Sequence, residues 1–145
     1  MAAKKQRRAP AVEQQAPAIC PSARAEPGAT LLGVIGVDGQ VAYLKTRLEI
    51  DQEFIDLVAK DGVPEERFRF AGTCVEGRCV QWDGKKSKCG VLDGVVPFLG
   101  TGEGDTPLQP CSIRTACRWF RQDGPSACRI CPGVITEIPE MREGV

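Results

Sequence analysis

Residues 30–46 read "TLLGVIGVDGQVAYLKT". Two apolar, β-branched runs flank Asp38-Gly39, a dipeptide whose residues both tolerate positive φ and so suit a tight turn. The stretch therefore predicts two antiparallel strands joined at that turn. Its cover follows in residues 50–62, "IDQEFIDLVAKDG", where Asp51 can cap a short helix, Phe54, Ile55 and Val58 form an apolar stripe, and Gly62 can end it. The expected fold class is α+β: a small hairpin-plus-helix part, then a cysteine-rich metal-binding part with short helices.

Working outward, residues 1–28, "MAAKKQRRAPAVEQQAPAICPSARAEPG", are built from Ala, Pro, Gln and charge. Few large apolar side chains are present to offset the entropy of ordering, so a mostly disordered arm is expected there. Residues 29–72 make the small α+β part and 73–145 the cysteine-rich part, the two forming one compact unit. At their junction, "VPEERFRFAGTC" (63–74) starts like a helix at Pro64 and ends like a strand. In that reading Phe68 and Phe70 are pinned in the core, while Arg67 and Arg69 are solvated. The closing "VITEIPEMREGV" is expected to be a short extended segment with a frayed end.

The chain has 145 residues, 19 Lys plus Arg against 19 Asp plus Glu, and 42% hydrophobic residues. These values suit one folded domain without the basic excess of a dedicated nucleic-acid binder. The basic run "KKQRR" (4–8) offers only a few phosphate contacts and reads equally as a solubilising terminus, so no nucleic-acid partner is assigned to it. The first residues lack the apolar core of a secretory signal, and no window approaches a membrane span. A soluble, cytoplasmic protein is expected, and in that compartment clustered cysteines bind metal or do redox work more often than they form disulfides.

Histidine is absent. That removes Ser-His-Asp and Cys-His catalysis, His-ligated zinc and haem, and Rieske centres, and no paired carboxylates stand out for acid–base work. A soft metal here must rely on sulfur. Seven of the eight cysteines fall between Cys74 and Cys131, in two groups: Cys74, Cys79 and Cys89, then Cys111, Cys117, Cys128 and Cys131. Residues 90–110, an apolar run followed by a Gly, Asp and Pro-rich loop, separate the groups in sequence and leave them free to meet in space.

The second group is the better defined. "SIRTACRWFRQDG" (112–124) has helical character with a stop at Gly124, and Ser126 can cap a second short helix. Cys128 and Cys131, three residues apart, then share a face, with Cys117 returning across the turn and Cys111 just upstream. The helix start would favour thiolate at Cys128. Arg114, Arg118, Arg121 and Arg129 add positive charge nearby, although a solvated helix face explains them as simply. Trp82, Trp119 and Phe120 could shield a metal group or just fill the core of a small domain.

Cys128 and Cys131 followed by Pro132 are similar over five residues to the C-x2-C and C-P elements of bacterial ferredoxins, whose further closely spaced cysteines are missing. A zinc ribbon would show two C-x2-C pairs, and here there is one. The wide, irregular spacings favour an iron–sulfur cluster on Cys111, Cys117, Cys128 and Cys131, in a protein that transfers electrons or senses redox state for a protein partner. A zinc-stabilised interaction module and a thiol oxidoreductase using Cys128 and Cys131 are the alternatives. Cys74, Cys79 and Cys89 are candidate metal ligands whose fourth would have to be Cys20, a cysteine of the other group or an exogenous ligand, and one four-cysteine site is better supported than two. Cys20, followed by Pro21, lies inside the expected arm, which leaves its role open.

Overall fold

The computed structural model describes residues 17–134 and 136. The basic run 4–8 and most of the closing segment lie outside the described residues. The chain is a mixed α+β fold. Strands β1 (Ile19–Ala23), β2 (Thr30–Ile35) and β3 (Val41–Tyr43) precede helix α1 (Gln52–Ala59) and strand β4 (Phe68–Thr73). The strands form an antiparallel sheet in the order β1-β4-β2-β3. A two-stranded ribbon, β5 (Trp82–Asp83) and β6 (Lys88–Cys89), then leads into helices α2 (Val91–Leu99), α3 (Arg118–Asp123) and α4 (Pro125–Ile130).

The hairpin forms where its sequence predicts. Gly39 sits at φ +80, and the Asp38 carboxylate accepts from the Gln40 amide at 3.0 Å. Gly33 is required for another reason: a Cβ there would stand 2.5 Å from the Ala42 carbonyl oxygen of the paired strand. Asp51 caps α1 as expected, accepting from the Phe54 amide at 2.9 Å. Phe54 meets Phe68 and Phe70 edge-on, with centroids 5.7 and 6.4 Å away.

Both faces of the sheet are covered. Leu31 and Phe70 face α1, whereas Leu32 and Ala71 join Trp119, Ile113, Ala127 and Ile130 of the cysteine-rich part in the larger core. This double cover corrects the reading of "RFRF". Side chains alternate across a strand, so with Phe68 and Phe70 toward α1, Arg69 points into the opposite layer. Arg69 is fully buried, not solvated. Arg67 is half-buried, donating to the Val58 carbonyl at 2.8 Å.

Two further expectations change. Residues 19–23, within the stretch expected to be a disordered arm, form edge strand β1, where Pro21 is tolerated because an edge strand can do without one amide donor. Ser126 does not cap α4. Gly124 does, at φ +67 with Pro125 in the first turn, and the Ser126 hydroxyl lies 2.9 Å from the Asp123 carbonyl. Glycine at that joint lets the chain reverse sharply between α3 and α4.

Candidate metal centre

All eight cysteines are free thiols. They fall into two groups of four. Cys111, Cys117, Cys128 and Cys131 line one hollow, enclosed by Pro21, Leu32, Tyr43, Trp119 and Phe120. Cys117 caps α3, Cys128 lies on α4, Cys131 opens the 3-10 turn that follows, and Cys111 precedes the turn at Arg114–Ala116. The four ligands expected from the sequence are thus brought together. The thiols close on about 10 Å3 of free space, so a multi-atom group enters only as the cysteine side chains rotate apart.

Each sulfur of this group has a hydrogen-bond donor. Cys131 receives the Tyr43 hydroxyl at 2.9 Å and Arg69 Nη2 at 3.1 Å. Cys128 receives Arg114 Nε at 3.3 Å, Cys117 the amides of Phe120 and Trp119, and Cys111 the amide of Ile113. A neutral thiol is a weak acceptor, so converging donors suit thiolate sulfur. Arg69 points the same way. Its other contacts are carbonyls, Pro21 at 2.7 Å, Val134 at 2.8 Å and Cys131 at 3.0 Å, with Trp119 beneath its guanidinium at 5.5 Å. Among the described residues no carboxylate pairs with it. A buried cation without a counter-ion is costly, and the Cys131 sulfur is the one partner that can carry negative charge.

Cys74, Cys79 and Cys89 meet elsewhere, and Cys20 completes their set. The four line an open cleft of about 580 Å3 that also includes Trp82, Arg118 and Trp119. The sequence offers Cys20 as one of three possible fourth ligands but cannot single it out, because its neighbours are too polar to predict the strand that carries it. The usable signal is arithmetic, since eight cysteines divide into two fours.

No protein family, curated protein or solved structure matches the chain. The chemistry of the site itself must therefore indicate its role.

Among the described residues no three His, Cys, Asp or Glu side chains are grouped so as to hold a metal ion. Two donors at these walls are also buried with no partner among the described residues, the Trp119 indole N–H and Arg118 Nε. Inorganic sulfide can accept from such donors; a bare ion cannot. The residues present are soft thiol donors with hydrogen-bond donors beside them, a set of the kind that holds sulfur-bound metal groups. The arginines are more engaged than a solvated face: Arg114 holds Cys128, Arg118 pairs with Glu76, and Arg129 donates to the Thr106 and Gly102 carbonyls.

Burial sets the protonation of the metal-free thiols. It pushes Cys117 up to about 12 and Cys20 up to about 11 from an ordinary 9.0, and raises Cys111 in the same direction. Neighbouring cysteines reinforce the shifts, while backbone amides oppose them. These groups are protonated at neutral pH, so metal uptake must release protons. Because the folded values lie above the unfolded one, the folded metal-free protein holds its protons longer. Their stabilisation is complete below pH 9 and is lost as pH rises through about 11 and 12. Urea melts of metal-free protein in reductant are expected to show stability falling over that window, each thiol contributing a slope of at most about 1.4 kcal/mol for every tenfold drop in proton concentration. Equal midpoints on either side of pH 9 would contradict this.

Proposed function

We propose that this protein is an iron–sulfur protein that exchanges electrons with a protein partner, with a cluster held by Cys111, Cys117, Cys128 and Cys131. The observation that carries the reading is the set of donors on all four sulfurs, including the buried Arg69 guanidinium, whose charge calls for an anionic group beside it. When bound, the cluster supplies reversible one-electron chemistry. The chain does the rest. Leu32, Trp119 and Phe120 exclude water, and hydrogen bonds to sulfur together with Arg69 favour the more negative, reduced state.

The lack of histidine and of paired carboxylates argues against a separate catalytic step. For the partner, Val80 and Phe98 are apolar side chains left 96% and 84% exposed, and they share a pocket with Cys79 and Cys89. Exposed apolar groups beside thiols suit docking of a redox protein. No helix among the described residues is long and apolar enough to cross a membrane. Eight free thiols suit a reducing compartment, so we assign the protein to the cytoplasm.

The test is metal and sulfide analysis of protein purified without oxygen. Iron with acid-labile sulfide is expected. Stoichiometric zinc without iron would replace the reading with a structural zinc module, and metal-free folded protein with thiol–disulfide activity would replace it with an oxidoreductase.

A further inference from the structure

We propose that Cys20, Cys74, Cys79 and Cys89 hold a second iron–sulfur cluster, so that the chain carries two, on opposite sides of Trp119. The inference rests on the iron–sulfur reading of the first site and adds a site with its own ligands and its own supporting residues.

The ligands come from three pieces of chain that the fold brings together. Cys20 lies on β1 opposite Gly72 of β4, and Cys74 follows β4, its amide bonded to the Ala18 carbonyl at 2.9 Å. Cys89, on β6, pairs with Trp82 across the ribbon, and Cys79 precedes β5. The sheet and the ribbon thus bring their thiols to one cleft. Its 580 Å3 is ample for a multi-atom group, in contrast to the tight hollow of the first site.

Three of the four sulfurs have donors of the same kind as in the first site. Cys20 receives the Ser22 amide at 3.4 Å and Cys79 the Gln81 amide at 3.4 Å. Cys111 and Cys117 likewise receive the amide two residues on, so one local turn recurs in both sites. Arg118 reaches the Cys74 sulfur while its guanidinium stacks 5.0 Å from the centre of Trp82. Gln122, one helical turn after Arg118, holds Cys89 from both ends, accepting from its amide at 2.7 Å and donating to its carbonyl at 3.3 Å. Residues four apart share a helix face, so one face of α3 serves this site while Cys117, its cap, belongs to the other.

The two sites adjoin. Trp119 lines both cavities, and consecutive residues of β1 divide between them, Cys20 in one and Pro21 in the other. A register shift in β1 just after Cys20 re-aims those side chains. One indole and one strand therefore separate the groups. That proximity lets two clusters sense each other's charge and spin.

Cys79→Ala and the double variant Cys20→Ala/Cys79→Ala test this against wild-type protein, all purified without oxygen. Cys79 is exposed, so its loss spares the core. In the double variant, iron and sulfide are expected to fall to about half, and the spin–spin broadening of the dithionite-reduced wild-type signal should vanish. Cys79→Ala should remove the broadening and part of the iron. Wild-type iron and sulfide in both variants would overturn the second site. So would loss of all iron from a variant with native circular dichroism, since that would mean one shared site. Iron-free wild-type protein would instead bring down the proposed function itself.

Discussion

Arg69→Met is expected to cost the fold about 3–5 kcal/mol, because several buried acceptors lose their donor at once. The guanidinium is fully buried and donates to the carbonyls of Pro21, Cys131 and Val134, tying β1 and the turn after α4 to the middle of the sheet. Methionine fills much of the volume but leaves those acceptors unpaired, at roughly 1–3 kcal/mol for each that water cannot reach. Lysine keeps the charge but lacks the planar fork, so Arg69→Lys should fall between the two. Urea midpoints of the three proteins check the order. In cluster-loaded protein the methionine variant should also show a lower reduction potential, because the added electron loses a nearby positive charge. An unchanged potential would mean that Arg69 serves the fold alone.

The second large effect is expected at Cys131. Its sulfur receives both Tyr43 and Arg69, and its carbonyl receives Arg69 again, so the residue joins the proposed ligand set to the sheet. Cys131→Ala should remove the iron and sulfide of the C-terminal site and leave the Tyr43 hydroxyl and Arg69 Nη2 short of an acceptor. Destabilisation of about 1–3 kcal/mol should accompany the loss of metal. Iron analysis and a thermal melt read the two effects separately. Full iron content in this variant would contradict Cys131 as a ligand.

The residues behind these effects are unequally visible in the sequence. The hairpin at Asp38-Gly39 and the Asp51 cap are local devices, each decided by residues within a few positions, and both form as the sequence predicts. Arg69 misleads because "RFRF" shows alternation but not how many faces of the sheet are covered. A strand covered on both sides can place an arginine inward wherever carbonyls and a sulfur await it. Cys20 misleads for a similar reason: "ICPSA" has little apolar content, and its strand exists because β4 offers a free edge. The set Cys111, Cys117, Cys128 and Cys131 is legible because helical spacing and the turn at Gly124 are short-range. That the thiols form two groups is not, because it depends on how β1 and α3 pass between them.

The most direct test of the central claim, that these cysteines hold redox-active iron–sulfur chemistry, is a reductive titration of anoxically purified protein followed by visible absorption. The expected result is a brown protein whose absorption is bleached by dithionite and returns on reoxidation. A colourless protein, or absorption indifferent to the reductant, would contradict the claim.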